Sequence, residues 1–369
     1  MCFIKRLGFI LLLVHHGLWA QTTFAARDFD PKELKSSSVT AGDVDGDGDY
    51  DLVVANGRHW PDANEVFVNN GEGQFTTSYL LTSLRATTYA AELGDFDGDG
   101  DLDVATGNDS APNQIFVNDG AGNYVAAKPF GNLTSNTRNL TLGDVDGDND
   151  LDIIVCNRFY ANELALNDGR GGFGEVILFG ERNDATLDID LFDMDADGDQ
   201  DFVVANRNEQ LNYIYLNNDN SFDEKLAIGE SRRDSRSVAV GDFNGDGMPD
   251  ILIGNIRQKN QVFLATSSLF YQVPIEVGRG NSKTYSLDTG DFDEDGDLDF
   301  VVGNSRQPNV VFFNEGGGSK FVAVELSKRK LDTYDIKTVD LNGDEHLDIV
   351  ESNSDGPNVV YYNRLGRNN

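Results

Sequence analysis

Cysteine is almost missing from this 369-residue chain, which has only Cys2 and Cys156. Cys2 falls in an apolar leader, so Cys156 stands alone in the remaining chain and an internal disulfide is excluded. An exported chain without cross-links needs another source of stability. Basic residues are also few: 29 Lys and Arg against 63 Asp and Glu, a net charge of −34. That balance excludes nucleic-acid binding through general charge, because phosphate contacts need a Lys/Arg surplus. Histidine is scarce, with four in all, and beyond His15 and His16 in the leader there is no His pair, HExxH motif or evident catalytic triad. Long apolar runs are missing too. The one run, "LGFILLLV" from Leu7 to Val14, is shorter than the roughly 20 residues of a membrane span. It follows Lys5 and Arg6 and precedes the small Ala20, so residues 1–20 read as a secretory signal peptide. Residues 21–369 then form the mature chain, expected to be secreted or periplasmic, with no membrane span, and to act as a monomer.

What is abundant is repetition. With 39% apolar and 10% aromatic residues the chain should fold despite its charge. Seven aspartate-rich loops begin at Asp43, Asp95, Asp144, Asp193, Asp242, Asp291 and Asp340. The first spacing is 52 residues and the next five are 49. An asparagine follows each start by 13 residues, from Asn56 to Asn353. Each unit reads as four short strands. The first ends at the aspartate loop, as in "SVAVGD". The second is a brief apolar run such as "DIIVCN", suited to burial on both faces. The third alternates and carries an aromatic: Phe67, Phe116, Tyr215, Phe263, Phe312 and Tyr361, with Ala165 in repeat three. The fourth begins near another aromatic, from Phe75 to Phe321. No convincing amphipathic helix is visible.

Four-strand units of this length predict an all-β, seven-bladed β-propeller. Repeat seven stops after its third strand, "NVVYYN", whereas a spare segment, "TTFAARDF", precedes repeat one. Phe24 precedes Asp43 by 19 residues, and the fourth-strand aromatics precede the next loop by 19 or 20. The N-terminal strand is therefore expected to complete the last blade and close the ring.

In the aspartate loops, oxygens recur at positions 1, 3, 5 and 9, with a backbone carbonyl available at position 7. The sets are Asp43, Asp45, Asp47, Asp49 and Asp51; Asp95, Asp97, Asp99, Asp101 and Asp103; Asp144, Asp146, Asp148, Asp150 and Asp152; Asp193, Asp195, Asp197, Asp199 and Asp201; Asp242, Asn244, Asp246, Met248 and Asp250; Asp291, Asp293, Asp295, Asp297 and Asp299; and Asp340, Asn342, Asp344, His346 and Asp348. Alternate carboxylates plus a carbonyl can wrap Ca²⁺, a hard ion that takes six to eight oxygens. Position 12 is Val54, in a strand, where an EF-hand would place Glu. The loops hold 31 aspartates and two glutamates, so up to seven Ca²⁺ would offset a large share of the crowding. Loop five, with Asn244 and Met248, and loop seven, with Asn342 and Glu345, should bind most weakly. Three sequons, at Asn108, Asn132 and Asn139, matter only in a eukaryotic secretory route.

"GDFDGDGDLDVATGN", "GDVDGDNDLDIIVCN" and "GDFDEDGDLDFVVGN" resemble FG-GAP/VCBS-type repeats, as in the propeller of integrin α-chains and many secreted bacterial proteins. The resemblance implies a seven-bladed propeller, calcium and a role in recognition. It departs from the integrin form in lacking the Phe-Gly and Gly-Ala-Pro signatures.

In such a propeller the loops after the second strand lie on the face opposite the aspartates. They carry Arg58, Arg158, Arg207, Arg257 and Arg306, and Tyr160. Arg forks suit carboxylate or sulfate, so this face is expected to bind a glycan, an acidic ligand or a protein partner. Repeat one inserts three residues there, in "NGRHWPDAN", which holds His59 and Trp60. Trp60 either stacks on a sugar or covers the pore; His59 either binds an anion or acts as a base. A lyase-like enzyme using His59 or Tyr160 is the alternative to a binding module, and a protein-protein adhesion domain is a third reading.

Overall fold

A computed structural model describes residues 23–134 and 136–365, and every named element within them is a strand. The signal-peptide reading of residues 1–20 lies outside the described residues. No described helix is long and apolar enough to cross a membrane.

Seven four-stranded antiparallel sheets form the ring. Blade one is typical: Ser36–Gly42, Asp51–Asn56, Glu65–Val68 and Thr77–Leu80, paired in that order from the axis outward. The expectation for the second strand holds in all seven blades, where each of its six residues is buried. Short apolar, β-branched runs suit such a site because neither face meets water. The third-strand aromatics are buried as well. The core is divided into seven apolar clusters, each drawn from two adjacent blades. Phe67, Leu52 and Val54 of blade one, for example, pack with Val350 and Val360 of blade seven. No blade has a core of its own, so stability depends on the closed ring.

Closure follows the expected route. Phe24–Asp30 pairs antiparallel with Asn358–Asn363, from Phe24 opposite Asn363 to Asp30 opposite Asn358, and becomes the outermost strand of blade seven. Phe24 packs edge-on to Phe292 at 6.2 Å, and Phe29 sits edge-on to Phe67 at 5.2 Å. The same strand thus contacts the clusters on both sides of its blade.

The invariant asparagines have a structural task. In each blade the first residue of the innermost strand, Thr or Ser, donates its hydroxyl hydrogen to the asparagine 20 residues later, as Thr88 does to Asn108 at 2.9 Å. A second asparagine then reaches the next blade. Asn64 Nδ2 donates to Thr88 Oγ1, and Asn358 Nδ2 donates to Ser36 Oγ at 3.1 Å across the closure. Buried amide groups are satisfied this way where the strands end.

Two features were not anticipated. Each innermost strand carries a register shift between its first and third residues. Blade five departs from the pattern: Phe270–Tyr271 pairs with Ala265–Ser267 in a separate hairpin, and the outermost strand is only Ile275–Val277.

Removing the Phe29 ring should cost about 3–5 kcal/mol, the usual range for a buried Phe→Ala change. Urea unfolding of Phe29→Ala reads this directly; wild-type stability would mean that the closing strand is not docked as described.

Candidate metal loops and the opposing face

The aspartate loops join the innermost and second strands, so all seven lie on one face. Each is a tight turn folded around its first carboxylate. In loop one the amides of Gly46 and Gly48 donate to Asp43 Oδ1 and Oδ2, at 2.8 and 2.9 Å. The same pair of contacts recurs at Asp95, Asp144, Asp242 and Asp340. The turn needs left-handed backbone, which glycine supplies at Gly46 and Gly48 (φ +76° and +96°). Loop seven has Glu345 at the sixth position with φ +68°, the strain expected from its sequence.

The ninth aspartate anchors the loop. Asp51 is fully buried; its Oδ2 accepts from Val44 N at 3.1 Å and its Oδ1 from Asn69 N at 2.7 Å. Asn69 in turn donates its side-chain N–H to the Leu341 carbonyl, the second position of blade seven's loop, at 2.8 Å. The link repeats in every blade except five, where Ala265 stands in place of asparagine and keeps only the backbone contact to Asp250. Six of the seven aspartate loops, all but blade four's, are therefore held between their own blade and the next.

Burial raises the carboxyl pKa values, and the crowding of like charges adds to it. Burial, the largest cause, with neighbouring loop aspartates also contributing, lifts Asp51, Asp103, Asp152, Asp201 and Asp250 to about 6 and Asp299 to about 8. Burial, together with the other carboxylates of its loop, also raises the third-position Asp45, Asp97 and Asp293. Amides partly offset the cost, but not fully. Asp45 Oδ1, Asp97 Oδ1 and Asp293 Oδ1 are buried and have no hydrogen-bond partner. A buried oxygen with no donor is costly, and a cation is the group that would satisfy it.

Loops one, two, three, four and six each bring three carboxylate oxygens within 4.8 Å of one another, as in Asp43, Asp45 and Asp51. That donor set, all oxygen and held on a turn, fits a hard divalent ion. Among the described residues, loops five and seven form no such three-carboxylate group. Asn342 instead donates its Nδ2 hydrogen to Asp348 Oδ2 at 2.9 Å, so loop seven is partly satisfied from within. His346 turns its ring to Glu294 of loop six, which keeps its side chain off the turn.

The sequence matches the FG-GAP-like repeat over residues 43–106, 95–155, 144–204, 193–253, 242–302 and 291–351. The chain belongs to the FG-GAP-like repeat family. No curated protein matches it. Its fold resembles two solved structures of BBS1N in complex with ARL6DN, one soaked with mercury and one with lead. Each is 12% identical, with TM-scores of 0.62 and 0.63, over 94% of this chain and 98% of the other.

On the opposing face of this FG-GAP-like repeat protein the predicted residues separate. Arg58 is 8% exposed, stacks 3.6 Å over the Tyr334 ring and donates from Nε to Ser354 Oγ at 3.1 Å. It ties blade one to blade seven rather than standing free. Gly57 permits the turn: a Cβ there would lie 2.4 Å from the Ala86 carbonyl oxygen. His59 has left-handed backbone (φ +75°), and its Nδ1 is 3.1 Å from the Tyr89 hydroxyl. Burial and nearby Arg58 lower its pKa, favouring neutral imidazole. Tyr89, not Tyr160, is its ring partner. Trp60 is 71% exposed. Arg257 is exposed on the rim, as is Arg306, which lies 3.6 Å from Asp332.

Apart from Arg138, an arginine expected on this face, sequence reasoning missed a ring of residues at the channel mouth: Ser37, Tyr89, Arg138, Leu187, Arg236, Tyr285 and Tyr334. Each is the second residue of an innermost strand, at the register shift. All line the channel. A bulge re-aims the side chain it carries. The signal was present in the repeats: the first position is always Thr or Ser, whereas the second varies freely.

The raised carboxyl values set a pH response. A group whose folded pKa exceeds its unfolded value near 3.8 stabilises the fold only while protonated, and that advantage is lost as pH rises through the folded value. In chelator, melting temperature should fall as pH rises from 5 to 8. A rise over that range, measured by calorimetry without divalent ions, would contradict this electrostatic account.

Proposed function

We propose that this protein is an exported, calcium-stabilised binding module whose recognition surface is the face opposite the aspartate loops. One observation carries the calcium reading: buried, partnerless carboxylate oxygens at the third position of loops one, two and six. Protein donors leave these atoms unsatisfied; a hard cation among three carboxylates would satisfy them. Up to seven Ca²⁺ would bind, most weakly in loops five and seven, where asparagine replaces the aspartate of the third position. The leader at residues 1–20 supports export.

Recognition is assigned to the other face because it gathers arginine in an otherwise acidic chain and presents Trp60 and Phe159 to solvent. A glycan or other acidic ligand suits that chemistry. A protein partner is the second reading; the similar fold of BBS1N was solved in complex with ARL6DN.

Chelation tests the calcium reading. Each site filled at a hundred times its Kd adds about 2.7 kcal/mol, so several sites should raise the melting temperature by at least about 10 °C over the chelated protein. Identical melting in calcium and in chelator would sink it.

A further inference from the structure

The channel mouth concentrates positive charge. Arg138 and Arg236 line it from blades three and five, and Arg58, Arg158 and Arg207 stand in the loops after the second strands of blades one, three and four, in a molecule of net charge −34. The arginines are held in place by aromatic rings. Arg138 lies 4.2 Å from the Tyr89 ring centroid, Arg236 lies 4.2 Å from Tyr285, and Arg58 lies 3.6 Å from Tyr334. Stacking fixes the plane of a guanidinium while leaving its N–H edges available.

The acids within reach are too few to neutralise the group. Asp109 takes Arg138 at 2.9 Å, and Asp332 lies 3.8 Å from Arg58. Arg158 Nε is buried with no acceptor. Arg236 spends its Nε hydrogen on the Tyr285 carbonyl at 3.0 Å, so its two terminal nitrogens remain as a fork. Burial, with Arg207 and Arg58 nearby, lowers the Arg236 pKa to about 10. Both features describe a cationic cluster short of a counter-anion.

Deeper in the channel the sign reverses. Glu92, Asp188, Asp190, Asp288 and Asp335 line it with a single cation, Lys337. These acids are engaged: Asp188, Asp190, Asp288 and Asp335 accept amide hydrogens from the next blade. An anion entering from the arginine side would be stopped at the mouth. The channel space is about 470 Å³, within the range of small-ligand sites.

We propose that the channel mouth binds the carboxylate of an acidic glycan between Arg158, Arg207 and Arg236. This rests on the recognition reading above and fixes its position and chemistry. The carboxylate takes the N–H edges of the arginines, and Phe159, exposed and with the Arg158 guanidinium 4.6 Å from its ring centroid, supplies an apolar surface for the sugar beside it.

The test is calorimetric titration of the full chain, in calcium, with a galacturonic acid trimer and with its neutral methyl ester. The acid should bind saturably and the ester at least tenfold more weakly. Arg158→Gln and Arg236→Gln should each weaken the acid at least tenfold. Melting of Arg158→Gln should stay close to wild type, because its Nε has no hydrogen-bond partner to lose and its ring contact, to Phe159, is with an exposed side chain. Lys320→Gln, a charge lost beyond the third strand of blade six, should leave affinity unchanged. If both mouth variants keep wild-type affinity while Trp60→Ala abolishes it, the mouth assignment fails and the face reading stands. Equal binding of acid and ester overturns the carboxylate assignment. No heat from either sugar overturns both the site and the acidic-glycan reading.

Discussion

The ninth-position aspartate of each loop is the contact on which the rest of the ring depends. Asp51 and its six equivalents are fully buried, with one oxygen taking the loop's own amide and the other taking an amide at the end of the third strand. That carboxylate starts the second strand, closes the turn and fixes where the third strand ends. The neighbouring asparagine then carries the constraint to the preceding blade. Burying a charge is unfavourable unless it is fully partnered. Here the amides do part of that work, and the raised pKa values measure what remains. A bound cation would do the rest and would stiffen the interface between blades as well as the loop.

The same economy governs the channel. An innermost strand has one edge without a strand partner, a row of amides that would otherwise face the channel unpaired. Side chains from the adjacent blade cap it. Asp188 accepts from Val238 N at 3.0 Å, Asp190 from Val240 N at 2.7 Å, and Ser38 Oγ accepts from Ala91 N at 2.9 Å. Channel carboxylates are thus part of the fold. The arginines at the mouth are not consumed in this way, and the two faces of the ring therefore differ in what they leave available.

Much of this was legible in the sequence because periodic burial leaves a periodic trace. The 49-residue register, the buried second strands and the replacement of the last outer strand by Phe24–Asp30 all follow from spacing and hydrophobic pattern. The weakness of loops five and seven as clusters follows from Asn244 and Asn342. The mouth was legible only in part: Arg158 and Arg207 were read onto this face, whereas Tyr89, Arg236, Tyr285 and Tyr334 were not, for a physical reason. Its residues sit on bulges, where the alternation that marks inside from outside is broken. Arg58 was misleading for a related reason: its place in a loop suggested solvent, yet Tyr334 and Ser354, close to 300 residues away in sequence, bury it. Blade five's hairpin also escaped, since Phe270 and Tyr271 mimic the start of an ordinary outer strand.

The central claim is that the aspartate loops are cation sites built into the blade interfaces. Native mass spectrometry across a calcium titration counts them directly. The account predicts five ions bound first, in the loops with three clustered carboxylates, followed by up to two more at higher calcium. A chain that takes up no calcium at any concentration up to the millimolar range would contradict it.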